Sequence, residues 1–216
     1  MNTTEIIQKT ELFIESQFRS EGSGHDWFHV DRVRKMALRI GELEGCDLFV
    51  VEMAALLHDL DDWKLIGAES QAESKIKKWL ESIELESEVA LHILKITEEV
   101  SFKGAGIETP VQSIEAAVVQ DADRLDAIGA IGIARTFTYG GHKSRLIYDP
   151  SISPVMHNDF QEYKNSTAPT INHFYEKLLL LKDRMNTKSA GVIAEQRHRF
   201  MNDYLSQFYE EWEAIR

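Results

Sequence analysis

Met53-Ala54-Ala55-Leu56-Leu57-His58-Asp59-Leu60 carries a histidine and an aspartate at the end of an apolar run. The apolar part reads as a helix buried in a core. The two polar residues are out of place there, because burying a carboxylate without a partner is costly. A hydrogen-bonded pair at a helix end would relieve that cost. A divalent cation would relieve it differently, since imidazole and carboxylate are ordinary ligands and the ion replaces lost water. The pair alone leaves both readings open.

Helical periodicity extends outward from this stretch on both sides. A first helix is expected from a cap at Thr3 or Thr4, with Ile6, Ile7, Thr10, Phe13, Ile14 and Phe18 on one face. Glu21-Gly22-Ser23-Gly24 breaks it. A second opens near Asp26, carries Val30, Val33, Ala37 and Ile40 inward, and ends at Gly45. The third, from about Asp47 to Leu60, contains the quoted stretch. Further helices are expected over about Glu69–Leu80, Glu86–Val100 and Val111–Thr138, the last containing small residues from Ala127 to Ala134. From Tyr139 to Pro169 the pattern fails at Gly140-Gly141, Asp149-Pro150, Ser153-Pro154 and Ala168-Pro169. It resumes over about Thr170–Arg184 and Ser189–Ile215. In the last helix Ile193, Phe200, Tyr204, Phe208 and Trp212 recur as a core or subunit-interface stripe, so a homodimer is one expectation. No strand pattern is present. The expectation is an all-α single domain over 1–216: a helical core over 1–138 carrying the site, a loop over 139–169, and C-terminal helices over 170–216.

The 216 residues are 43% hydrophobic, enough for a sizeable core, and carry a net charge of −12. That charge argues against binding nucleic acid polymers or an anionic membrane. It leaves room for a small anionic substrate, because one metal and a few lysines reverse a local field. The single cysteine, Cys46, permits no intrachain disulfide and suits a reducing cytosol. The first residues lack a signal-like pattern and no segment is apolar enough to span a bilayer, so a cytoplasmic location is expected.

Three further features accompany the pair. In His25-Asp26-Trp27-Phe28-His29-Val30-Asp31-Arg32-Val33 two histidines lie four apart, and the break at Gly24 puts only His29 well inside a helix. In Gln120-Asp121-Ala122-Asp123-Arg124-Leu125-Asp126, Asp123 and Asp126 share a helix face, and spacing does not choose between them as a ligand. A salt-bridged face around Arg124 is the plainer reading of that stretch. Asp61-Asp62-Trp63-Lys64 follows the pair; Asp61 reads as a charged helix end in water.

His29, then His58-Asp59, then Asp123 resembles the ordered signature of the HD-domain metal-dependent phosphohydrolase superfamily. The His-x-x-Arg-Val context of His29 and the Ala-Asp-Arg-Leu context of Asp123 are similar to it as well. Ser101-Phe102-Lys103-Gly104, the stretch from Gln120 to Ala134, Tyr139-Gly140-Gly141 and the run from His173 to Leu179 resemble a bacterial subgroup of HD hydrolases with nucleotide pyrophosphohydrolase members. The resemblance implies an HD-type helical bundle with a C-terminal helical extension. It also implies His29, His58, Asp59 and Asp123 as ligands of one divalent ion.

Such oxygen and imidazole ligands suit Mn, Fe, Ni or Mg, with Zn as a further candidate. Phosphoryl transfer needs nearby cations. Lys64 is the first candidate and Lys103, in a Gly-flanked turn, the second. Asp62 is the candidate to position or deprotonate water. His25 and His92 are candidates to line the pocket, and His142 or Lys143 to meet phosphate. The implied activity is hydrolysis of a nucleoside triphosphate to monophosphate and pyrophosphate. The alternatives are a monophosphatase or phosphodiesterase of the same superfamily, and a non-catalytic nucleotide-sensing module.

Overall fold

The computed structural model describes residues 2–19, 26–61, 74–100, 110–156 and 167–215. Every regular element among them is helical: α1 Thr3–Phe18, α2 Trp27–Glu44, α3 Leu48–Leu57, α4 Lys75–Ser82, α5 Ser87–Val100, α6 Ile114–Asp126, α7 Gly129–His142, α8 Asn172–Glu176, a 3-10 helix Leu178–Arg184, and α9 Lys188–Trp212. No described helix is long and apolar enough to cross a membrane. The chain divides into two compact units, Met1–Phe102 with Glu108–Ala122, and Lys103–Ile107 with Asp123–Arg216.

In the first unit the helix ends are set by local chemistry. The cap of α1 is Asn2 rather than Thr3 or Thr4. The Glu5 amide donates to Asn2 Oδ1 at 2.9 Å, and the Asn2 amide donates to Glu5 Oε2 at 3.1 Å. This reciprocal pair satisfies two otherwise orphaned N–H groups. Asp26 caps α2 as expected, and Gly45 ends it at φ 71°, a left-handed turn that glycine adopts without a Cβ clash. Asp47 caps α3 through the amides of Phe49 and Val50.

Helix α3 is the hub, packing on α1, α2 and α5. Val50, Val51 and every residue from Met53 to Leu57 are buried, which suits a helix apolar all round. Burying Leu56 or Leu57 contributes about 1.5–3 kcal/mol each. Glu52, which interrupts the apolar run, accepts from Arg34 Nε at 2.7 Å, and Arg34 also meets Glu11 at 3.2 Å. The trio ties α1, α2 and α3 together at their polar edge. Phe13 stacks on Trp79 with centroids 4.0 Å apart, joining α1 to α4. Helix α3 stops at Leu57, earlier than periodicity predicts, so His58, Asp59 and Leu60 occupy a turn at its end.

The expected single helix over 111–138 is two. Helix α6 ends at Asp126, Ile128 is extended, and Gly129 restarts the helix at φ 77°. A Cβ on Gly129 would sit 3.0 Å from the Arg197 side chain. The side chain of Arg197 also donates to the Leu125 carbonyl at the break. In the second unit α7 then runs through Gly132 to His142, past the point where the pattern was expected to fail. Gly140 makes this workable: a Cβ there would lie 2.3 Å from Thr170 Oγ1. Lys177, at φ −145°, divides the expected Thr170–Arg184 helix into α8 and the 3-10 turn.

The α9 stripe also differs from expectation. Its buried residues are Ala190, Ala194, Met201 and Leu205. Tyr204 and Phe208 flank that stripe in an aromatic cluster with Phe137, Phe174 and Tyr148, while Phe200 and Trp212 are about half exposed.

Candidate metal centre

His29 lies in the first turn of α2, fully buried, with its backbone amide on the Asp26 cap at 2.8 Å. His58 and Asp59 lie in the turn that ends α3, both buried. The capped start of one helix and the early end of another thus deliver three ligand-type side chains to one place. One Asp59 oxygen, Oδ2, stands 3.4 Å from His29 Nε2 and 3.5 Å from His58 Nε2. Candidate ligand atoms of all three residues lie within 4.8 Å of one another. The two imidazole rings meet edge to face, centroids 5.4 Å apart.

The tautomer of His58 follows from its partner. Its Nδ1 is 2.8 Å from the Ala55 carbonyl, which only accepts, so Nδ1 carries the proton. That leaves a lone pair on Nε2, which is buried and has no hydrogen-bond partner. A buried lone pair without a donor is costly unless a cation takes it. Two ligand atoms each about 2.1 Å from one ion lie roughly 3.0–3.5 Å apart at ordinary coordination angles. The two separations to Asp59 Oδ2 fit, so the donor set, that spacing and the tautomer suit a divalent ion. The carbonyl bond to Nδ1 is the kind of outer contact that orients a ligating histidine.

The HD domain family model matches residues 27–128, which contain all three residues. A protein from Bacillus thuringiensis described as an HD-superfamily hydrolase has a solved structure 46% identical, covering 99% of this chain and 100% of its own, with a TM-score of 0.78. The chain belongs to the HD-domain superfamily of hydrolases. It is also 40% identical to the uncharacterised YpgQ protein of Bacillus subtilis, over 100% of this chain and 98% of that one. The crystal structure of that protein in complex with ADP matches with a TM-score of 0.75 at 37% identity, over 95% of this chain and 97% of that one. Membership makes this chain a metal-dependent hydrolase, and the His29, His58 and Asp59 cluster is able to hold the metal.

Other sequence candidates fall elsewhere. Asp62, Lys64, His25 and Lys103 lie outside the described residues. His92, on α5, pairs with Glu115 at 3.8 Å in the first unit. His142 is exposed in the last turn of α7, in a helix rather than the loop expected. Asp123 is half-buried near the end of α6. Asp126 is buried and bound by Arg135 at 2.7 Å, a salt bridge that accounts for its carboxylate. Arg124 donates to the Arg184 carbonyl, the structural role expected of it. Asp61 is not a solvated helix end. It accepts from Ser74 Oγ at 2.5 Å and from the Lys75 amide at 2.9 Å, anchoring the start of α4. Nothing local in the sequence signals that role, because its partner lies 13 residues away.

Proposed function

We propose that this protein hydrolyses nucleotides, cleaving nucleoside triphosphates to monophosphate and pyrophosphate at a single divalent metal. The observation that carries this reading is the buried His29, His58 and Asp59 cluster, in which His58 Nε2 has no hydrogen-bond partner. The ADP complex of the YpgQ relative supports a nucleotide as ligand, and the subgroup resemblance supports pyrophosphohydrolysis.

The resemblance to the HD signature adds Asp123 to the ligand set in this reading. The Arg135 salt bridge of Asp126 favours it over Asp126. When bound, a divalent ion polarises a phosphoryl oxygen and lowers the pKa of water. The chain's residues do the rest. The Ala55 carbonyl fixes the His58 ring. Asp59 carries the negative charge that draws the cation to two neutral imidazoles. The apolar wall of α3 keeps the surrounding dielectric low, which strengthens every charge interaction there. In this reading the sequence assigns Asp62 to position and deprotonate the attacking water, and Lys64 to balance the charge that builds on the phosphoryl oxygens.

A panel of (d)NTPs, nucleoside monophosphates and cyclic dinucleotides, assayed with each metal by phosphate-product chromatography, tests this. The expected products are monophosphate and pyrophosphate. Turnover of monophosphates with inert triphosphates would replace the reading with a nucleotidase. Tight nucleotide binding with no turnover under any metal would replace it with a sensing module.

A further inference from the structure

Asp61 lies two residues beyond Asp59, in the same turn that carries His58 and Asp59. On the α3 side that turn is secured locally. The Leu60 amide donates to the Leu57 carbonyl at 3.0 Å, and His58 Nδ1 meets the Ala55 carbonyl at 2.8 Å. Past the end of a helix no repeating backbone ladder fixes the chain. On its far side the turn is held by the burial of Leu60 and by the Asp61 carboxylate. Asp61 Oδ2 accepts from Ser74 Oγ at 2.5 Å and from the Ile76 amide at 3.5 Å, and Oδ1 accepts from the Lys75 amide at 2.9 Å.

The support that Asp61 grips is firm. Ile76 and Leu80 of α4 are buried, and Trp79 both stacks on Phe13 and donates from Nε1 to Thr10 Oγ1 at 3.0 Å. Helix α1 in turn packs on α3. The ligand-bearing turn is therefore braced from both sides within the first unit.

An acid at a helix start is favoured by its open amides and dipole, which accounts for part of this contact. Yet Ser74 already caps α4, its Oγ accepting from the Lys77 amide at 3.0 Å. Asp61 is not a ligand either: Ser74 and Lys75 engage its two oxygens, and the ligand-type group among the described residues is His29, His58 and Asp59. Asp59 Oδ2 is the atom that faces both imidazoles, so a shift of its backbone alters both separations at once.

We propose that Asp61 is a positioning residue for the metal centre. By fastening the His58–Asp59 turn to the start of α4, it holds Asp59 at the separation from both imidazoles that a divalent ion needs. The proposal rests on a cation occupying the His29, His58 and Asp59 cluster, and not on which phosphate compound is cleaved.

The test is calorimetric titration of the metal-free full chain with Mn²⁺, with thermal melting of each metal-free variant alongside. Asp61→Ala is expected to bind Mn²⁺ about tenfold more weakly, the low end of what outer contacts contribute. Asp61→Asn, which keeps an acceptor oxygen without the charge, should stay within about threefold of wild type. Asp47→Ala removes the cap at the opposite end of α3; it should melt lower, as Asp61→Ala does, but bind Mn²⁺ like wild type. If Asp61→Ala does not fold, Ser74→Ala carries the test, with about threefold weaker binding expected. Wild-type affinity in Asp61→Ala, or in Ser74→Ala where that variant replaces it, overturns the positioning role and leaves Asp61 an anchor of α4 alone. Equal weakening in Asp61→Asn and Asp61→Ala also overturns it, by assigning the effect to charge. His58→Ala separates the two levels: wild-type Mn²⁺ affinity there would overturn the metal centre itself, and this proposal with it.

Discussion

The two units hold histidines in surroundings of opposite electrical character. In the first, His29 and His58 meet the carboxylate of Asp59 inside apolar walls. In the second, burial first and then the charges of Lys177 and Arg145 keep His173 neutral. Imidazole is the same group in both. A carboxylate beside imidazole lone pairs favours a cation; burial and neighbouring cations hold an imidazole neutral. The charge state of a histidine is thus set by its burial and by its neighbours together.

The most damaging change to this contrast is His58→Ala. It removes one of the two imidazole donors, and turnover should fall by more than about 100-fold, beyond the cost of losing an outer contact. Metal retention should fall with it, read by elemental analysis after gel filtration.

Next is the pH response of the second unit. His173 titrates at about 3 in the folded chain and at its ordinary 6.5 once unfolded. Between those values the unfolded state binds the extra proton. Its contribution is therefore fully present above pH 6.5 and is lost as pH falls toward 3, by up to about 1.4 kcal/mol per pH unit. In His173→Gln the slope of stability between pH 6.5 and 4.5 should flatten by that amount, measured by urea unfolding. An unchanged slope would show that His173 is not held neutral.

The smallest effect separates two neighbouring carboxylates. Asp126→Asn should cost about 1–3 kcal/mol, less than a fully buried pair because Arg135 is partly exposed, and should leave metal content unchanged. Asp123→Asn should lower metal content with little loss of stability.

Much of this was legible in the chain. Asp26 and Gly45 mark the ends of α2 because capping and left-handed turns act over one or two residues. The all-round apolar α3 marks the core, while His29, His58 and Asp59 became a ligand set only through their ordered resemblance to the HD signature. Other features depend on partners far along the sequence. The break at Ile128–Gly129 is tied to Arg197, which lies on α9. The persistence of α7 through Gly140 depends on Thr170. Asp61 and Asp126 look like generic acids until Ser74 and Arg135 are placed beside them. Arg145 acts on His173 from far along the sequence, which no local pattern signals.

Anomalous diffraction from crystals of the metal-loaded protein is the most direct test of the metal centre. One peak is expected within about 2.5 Å of His29 Nε2, His58 Nε2 and an Asp59 oxygen, and it should vanish in His58→Ala. Active, metal-bearing crystals with no peak at those three atoms would contradict it.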